Sequence, residues 1–595
     1  MNVSKYLPFG CAIFFALVFA SAAQPAKPPS RDITETPHNL SVSGGGGAHD
    51  LKSSQEVGIC IFCHVPHHAT SVTPLWSREV SPLFIYVPYQ SGTIKANPQE
   101  PRGASRLCLS CHDGTIALGL LAGERNLDPS LPALKDLPPE PDPRLNSNLG
   151  TDLRDDHPVS FAYSYPLNPE LHDPSTLQAK GIRLAEGSYV ECNSCHDPHN
   201  NQYGKFLVKD VSQQHDALCT ACHNKEGWSD SDSAHRTGGT RFAGVSAQVA
   251  ADGCISCHLP HSAQKGEHLL KLSVVGAGEE TNCYLSCHRD VPYSNVWSEF
   301  NSSIYTHPIQ SYNGVHKENE TLPLNAAKEH VECVDCHNPH RAGWQGSPLG
   351  AAAAQVPPVS VAPDVNGALR GVRGVDLTGA GTVPVARYEF EVCYRCHAGA
   401  SADQFTTFSA QLPLRLYRDY DESNRFSASN PSFHPVTMDR PVSSLGRSLR
   451  TQYQAGMYRI YCNDCHNSHG SNEPHMLRAQ NLDTFPLAGI SNYPLCFRCH
   501  DPDFLLNPLA SPRSESAAFH QRHVLGPHVN GDTRQTPCSV CHDPHGAPVS
   551  RGANTTNAAH LVNFDTRYAG ALAVYDSGTR SCTVSCHSSN PRFYP

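Results

Sequence analysis

The chain has 595 residues, 39% of them hydrophobic, with 25 cysteines, 48 prolines and a net charge of −10. That acidic balance excludes a nucleic-acid surface built on clustered basic residues. Proline and short polar linkers are spread throughout, and no long amphipathic helix is legible.

The first 23 residues, 1–23, read as a secretory signal peptide. Lys5 gives a short positive start, an apolar run extends from Cys11 to Phe19, and Ala20, Ser21, Ala22 and Ala23 offer a cleavage site. A lipoprotein cut before Cys11 is the lesser alternative, because so little precedes that cysteine. No later segment reaches the roughly 18 apolar residues of a membrane span. The mature chain, at −11 once Lys5 is lost, is therefore expected to be exported, to the periplasm or to the cell surface and beyond.

A repeat then runs through the rest of the chain. Residues 24–125 hold Cys60, Cys63 and His64, then His67 three residues on, then Cys108, Cys111 and His112; His38 and His49 come first. Residues 126–232 hold His157, then Cys192, Cys195, His196 and His199, then Cys219, Cys222 and His223. Residues 233–290 hold His235, then Cys254, Cys257, His258 and His261, then Cys283, Cys287 and His288 with one residue more between the cysteines. Residues 291–400 hold His307, then Cys333, Cys336, His337 and His340, then Cys393, Cys396 and His397. Residues 401–503 hold His434, then Cys462, Cys465, His466 and His469, then Cys496, Cys499 and His500. Residues 504–595 hold His520, His523 and His528, then Cys538, Cys541, His542 and His545, then the second widened motif, Cys582, Cys586 and His587.

These motifs use 24 of the 25 cysteines. C-x-x-C-H is the spacing of c-type haem attachment, and chance would supply only about 0.06 copies. Two thiols a fixed short distance apart add to the two vinyl groups, and the next histidine faces the iron. Zinc knuckles do not demand a histidine after every second cysteine, and a disulfide framework gives that histidine no reason. Twelve covalent haem c groups are expected. Both widened motifs fall in the second slot of their units, which supports counting them.

Motifs with and without the extra histidine alternate without exception, so the repeat is six units of two haems each. Three residues span at most about 10–11 Å, so a ligating second histidine would force two porphyrins together. We expect that histidine to serve the second motif of its own unit, and one upstream histidine per unit to complete the first haem. Thirty-five histidines less 12 proximal ones leave 23 for 12 distal places. His68, His268, His475 and His560 read as surface or structural. Only Met438, Met457 and Met476 survive signal removal. Bis-histidine iron should therefore dominate, and the near absence of Met/His ligation argues for low potentials.

About 48 residues per haem are too few for a separate globular domain round each porphyrin. The expected fold is mostly irregular coil with short α-helices and few short strands, a multihaem cytochrome c whose haems form the core. Residues 126–150 and 348–385 read as surface loops or partly disordered insertions.

The segments PHNLSVSG, CIFCHVPH, PLW, LCLSCHDGTIALG, DDHPVSF and CNSCHDPHN resemble the doubled-CXXCH multihaem cytochromes of metal-reducing bacteria, a group that includes filament-forming extracellular cytochromes. The resemblance covers residues 36–235 closely and the rest at the level of the motif. It implies bis-histidine haems stacked in a continuous chain. It favours His38 over His49, favours His157, and in FHQRHV suggests His523 with His520 and His528 in reserve. The widened motifs and the fourth-unit insertion depart from the pattern.

An electron conduit is the leading expectation, with no catalytic residues. Its partners would be other redox proteins and external acceptors (metals, minerals or electrodes), or further copies in a filament, with no nucleic acid and no transmembrane span. The alternative is a multihaem reductase of nitrite, sulfite or tetrathionate, which needs an iron with an open position. The C-x-x-C-K motif that often marks such a site does not occur.

Overall fold

The computed structural model describes residues 30–45, 51–67, 69–70, 74–80, 85–140, 142–237, 252–264, 267–271, 279–285, 287–289, 295–309, 331–343, 362–399, 402, 413–441, 448–454, 457–481, 490–511, 514–526, 536–586 and 592–593. The signal segment 1–23, residues 348–361, His49, His68, His528 and His587 lie outside the described residues.

The described chain is mostly coil, as the composition leads one to expect. Its longer helices are Gly103–His112, Glu389–His397 and Ser514–Val524. The strands are two or three residues long and pair in small antiparallel hairpins. Among the described residues no helix is long and apolar enough to cross a membrane.

Most attachment motifs form a single helical turn. Cys192–Cys195, Cys219–Cys222, Cys333–Cys336, Cys462–Cys465 and Cys538–Cys541 are each one turn of α-helix. The backbone N–H of the motif histidine closes the turn on the carbonyl of the first cysteine, for example His64 on Cys60 at 2.7 Å and His542 on Cys538 at 2.9 Å. Residues three apart on such a turn are neighbours, so both sulfurs lie on one side. The residue before the second cysteine caps several turns. Asp335 accepts from the Glu332 N–H at 2.8 Å and Asp464 from the Tyr461 N–H at 2.9 Å, a reach back of the capping-box kind.

The widened motif at Cys283 keeps the same closure one residue wider, with His288 N–H donating to the Cys283 carbonyl at 3.0 Å. The other widened motif departs from helix altogether. Cys582 sits on the strand Ser581–Thr583, paired with Val574–Asp576.

Contacts divide the chain into two bodies. One comprises Met1–Val87, Gln99–Asp152 and Gly181–Asp210; the other comprises Pro88–Pro98, Leu153–Lys180 and Val211–Pro595. In the first body, Phe62, Leu118, Leu131 and Leu134 form an apolar cluster with Cys63 and Cys111 packed against it. In the second, Ala362, Val375, Phe390, Tyr394 and Ala398 form another. Two regions expected to be surface loops therefore supply core. Leu131, Ala133 and Leu134 are buried, and the hairpin Gly374–Val375 with Thr382–Val383 brings the fully buried Val375 onto the helix Glu389–His397. Their leucines, valines and alanines bury as any apolar side chain does; proline and glycine shape the path without keeping it outside.

Candidate haem-binding sites

In the first body, Cys108 and Cys192 share a thiol hydrogen bond, which raises Cys108 first, with burial second. Cys63 is pushed up to about 12 by burial and then by neighbouring Cys111. In the second body the same kind of hydrogen bond joins Cys219 to Cys254, Cys283 to Cys333, Cys393 to Cys462, and Cys496 to Cys538. Cys257 lies beside Cys283 and Cys287, Cys336 beside Cys396, Cys465 beside Cys499, and Cys541 beside Cys582 and Cys586. Within each body the motifs therefore follow one another sulfur to sulfur in chain order, from Cys63 to Cys192 in the first and from Cys219 to Cys586 in the second. Within a unit the second cysteine of the first motif makes the contact. Between units the first cysteines of the two motifs meet. Both widened motifs keep their places in this run.

The imidazoles face one another in pairs. In the first body the ring centres of His64 and His199 are 6.1 Å apart and those of His112 and His38 6.2 Å apart. In the second body the pairs are His223 with His157 at 6.3 Å, His258 with His340 at 6.1 Å and His288 with His235 at 6.3 Å. His337 faces His469 at 6.0 Å and His397 faces His307 at 6.4 Å. His466 faces His545 at 5.9 Å, His500 faces His434 at 6.3 Å and His542 faces His520 at 6.2 Å. A metal–imidazole bond is about 2 Å long and the ring centre lies about 1 Å beyond the nitrogen. Two trans imidazoles on one iron thus place their centres about 6 Å apart, and the pairs fit that requirement.

The pairing corrects the expected wiring. His199 faces His64 of the preceding unit, and in the first five units the upstream histidine faces the second motif rather than the first, whereas in the last unit His520 faces the first motif as expected. The place opposite His223, which His199 was expected to fill, holds His157. The same shift recurs at His340, His469 and His545. In the last unit, His520 rather than His523 faces His542, one turn away on the helix Ser514–Val524. His67 is exposed and, among the described residues, no ring faces it. His261 donates from Nδ1 to Asp156 Oδ1 at 3.0 Å.

Burial favours the neutral form of five of the proximal rings. It lowers His397, His466, His500 and His542 to about 4 and His223 to about 3, with the facing histidine adding to the shift. Backbone carbonyls then select the tautomer. A carbonyl only accepts, so Nδ1 carries the proton and Nε2 is left for metal. His64 donates to Pro74 O at 2.7 Å, His196 to Lys205 O at 2.9 Å, His258 to His268 O at 2.7 Å, His337 to Ala368 O at 2.9 Å, His466 to His475 O at 2.8 Å and His542 to His560 O at 2.9 Å.

Sequence reasoning missed this clasp. Four of the carbonyls belong to the first of two consecutive left-handed residues: Lys205–Phe206, His268–Leu269, His475–Met476 and His560–Leu561. Side chains other than glycine adopt that conformation at a cost of about 1–2 kcal/mol each. The second residue of each pair accepts from the residue after the motif histidine, as in Leu259 N–H to Leu269 O at 2.9 Å and Asp543 N–H to Leu561 O at 2.9 Å. The signal was present as the recurring KFL, HLL, HML and HLV downstream of four first-slot motifs.

The upstream histidines are held by the same logic from another place. His38, His235, His307 and His434 donate to the carbonyls of Pro198, Pro339, Ser468 and Pro544 at 3.2, 2.7, 2.7 and 2.7 Å. Each acceptor lies between the two histidines of the following unit's C-H-x-x-H loop. That loop therefore serves both motifs of the unit before it, facing the first with its histidine and fixing the distal ring of the second with its carbonyl.

The family model for the doubled CXXCH motif matches residues 184–227 and 455–504. The chain carries the doubled CXXCH motif. The motif implies covalently bound haem c and is consistent with a multihaem c-type cytochrome. No curated protein matches the chain. The two matched stretches contain the doubled motifs at Cys192 with Cys219 and at Cys462 with Cys496. Glu389, Cys393 and Cys462 bring their ligand atoms within 4.8 Å of one another, but both sulfurs belong to attachment motifs, so the cluster is part of the haem run.

Proposed function

We propose that the chain is a dodecahaem c-type cytochrome of six di-haem units that acts as one electron conduit. It is exported, works in the periplasm or at the cell surface, and passes electrons to other redox proteins or to external metals, minerals or electrodes. It is an electron carrier rather than an enzyme, with two histidines on each iron, and it has the makings of a filament subunit.

The observation that carries this reading is the run of sulfur contacts in chain order within each body, through Cys63, Cys111, Cys108 and Cys192 in the first and from Cys219 to Cys586 in the second. Bound haem c supplies a one-electron Fe(III)/Fe(II) couple. The cysteines would hold the haem groups by their thioether bonds, the paired imidazoles would supply the iron's protein ligands, and the carbonyl clasps keep those rings from turning. A buried, preset ligand shell needs little rearrangement when charge changes.

Intact mass and spectra of the mature protein test the proposal. The expected result is twelve haems, low-spin iron, weak binding of carbon monoxide to the reduced form, and fast electron transfer to ferric chelates. A mass with ten haems would remove the widened motifs. Stoichiometric carbon monoxide binding at one haem, with sustained turnover of nitrite or sulfite, would replace the conduit by a reductase.

A further inference from the structure

Most of the rings described above give their Nδ1 proton to a neutral carbonyl. Four of the histidines that end a C-H-x-x-H loop are set near a carboxylate instead, His199 the most loosely, with Nδ1 3.8 Å from Asp197 Oδ1. His261 donates to Asp156. His469 Nδ1 lies 3.4 Å from Glu299 Oε2, and His545 Nδ1 lies 3.0 Å from Glu422 Oε2. In the last pair both atoms are buried and face each other at contact distance without an aligned hydrogen bond, and no other group bonds to either.

The carboxylates are themselves oriented. Asn467 donates to Glu299 Oε2 at 3.2 Å. Arg425 donates to Glu422 Oε1 at 2.7 Å and to Asp543 Oδ1 at 2.7 Å. Because Arg425 balances the charge of Glu422, a hydrogen bond closed across this contact, rather than net charge, would carry the effect at that site. A carboxylate acceptor on Nδ1–H makes the imidazole a stronger donor to metal than a carbonyl does. A stronger donor stabilises Fe(III) over Fe(II), and second-shell hydrogen bonding is one of the protein's levers on haem potential.

We propose that Glu299 and Glu422 are positioning residues that lower the reduction potential of the haems attached at Cys333 and Cys462, through His469 and His545 respectively. The inference rests on the bis-histidine reading. It implies unequal steps along the conduit, with first-slot haems of this kind easier to oxidise than second-slot neighbours, whose distal rings His307 and His434 donate to carbonyls.

The test is a spectroelectrochemical titration of the full, haem-loaded chain with Glu299→Gln and Glu422→Gln, together with intact mass and low-temperature electron paramagnetic resonance. Each variant is expected to keep the parent's haem number. It should shift the reduction of one haem to higher potential, by about tenfold in its Fe(II)/Fe(III) ratio at fixed potential, and alter one low-spin signal. Glu299→Asp should restore part of the shift. Titration curves that overlay the parent in a variant with its full haem number would overturn the proposal. If the buried Glu422→Gln chain fails to fold, the half-exposed Glu299→Gln decides alone. Failure of the underlying reading looks different, because the parent itself would then show high-spin iron or too few haems.

Discussion

His199 stands opposite His64, ring centre to ring centre at 6.1 Å and only 18° from parallel, although each belongs to a different two-motif unit. Changing His199 to Ala should therefore convert the haem held by Cys60 and Cys63 to high-spin iron that binds carbon monoxide, one per chain. The haem held by Cys219 and Cys222 should be untouched, since His157 faces its proximal ring. Carbon monoxide titration of the reduced variant, with resonance Raman of the spin state, checks the count. His157→Ala should open the haem at Cys219 instead.

The angle between facing rings runs from near-parallel to near-perpendicular, with His337, His112 and His466 between the extremes at 38°, 57° and 61°. It is 18°, 7° and 19° at His64, His258 and His542, in first-slot motifs. It is 78°, 83°, 70° and 68° at His223, His288, His397 and His500, in second-slot motifs. Parallel imidazole planes lift the near-degeneracy of the iron π orbitals, and crossed planes leave it. The oxidised protein is expected to show both rhombic and highly axial low-spin signals in electron paramagnetic resonance. His157→Ala should remove one axial component and His199→Ala one rhombic component.

Glu389 is buried beside Cys393 and Cys462, and burial pushes its carboxyl up from an ordinary 4.5 to about 7. The two donors from Asn463, at 3.0 and 2.7 Å to Oε1, and the charge of Arg478 oppose that shift, while Asp464 adds to it. The folded chain thus holds this proton more tightly than the unfolded chain. Stability is lost as pH rises from 4.5 to 7 and then levels off. In Glu389→Gln this dependence should disappear, so the variant gains on the parent across that window. Denaturant midpoints at fixed ionic strength, taken from pH 4 to pH 8, measure it.

Arg395 and Asp335 tie two attachment motifs together. Asp335 lies between Cys333 and Cys336, Arg395 between Cys393 and Cys396, and the two buried side chains pair at 2.9 Å. Removing one partner strands the other charge, at about 3–5 kcal/mol. Arg395→Met should destabilise the second body by that order in thermal or chemical unfolding. Adding Asp335→Asn should recover part of the loss, because the stranded charge is gone.

The attachment turns were fully legible from the sequence, because C-x-x-C-H states both the chemistry and the local helix that satisfies it. The direction of the wiring was not. A period tells how far apart His196 and His199 lie in the chain, but not whether the second ring reaches toward its own unit or the one before. The contacts between Cys108 and Cys192 and between Cys63 and Cys111 decide that, and they are products of packing. Carbonyls such as Pro198 O and His268 O escaped for a different reason. Every residue has a carbonyl, so the letter says nothing about its task unless the backbone is strained, and strain at His268, His475 and His560 becomes visible only in φ. Leu131, Leu134 and Val375 were misjudged because the prolines and glycines around them outweighed their own apolar character.

Each C-H-x-x-H loop facing the unit before it sets a timetable for assembly. A chain delivered N-terminus first presents Cys60, Cys63, Cys108 and Cys111 to the attachment machinery before His199 and the Pro198 carbonyl exist on the far side. Porphyrins added at that stage have only their proximal rings, and the closing histidine arrives with the next stretch of polypeptide. On that order of delivery, the loops ending in His199, His340, His469 and His545 would each supply the missing ring of the unit behind them. A chain halted after a first-slot motif would leave that motif's proximal histidine without its facing ring.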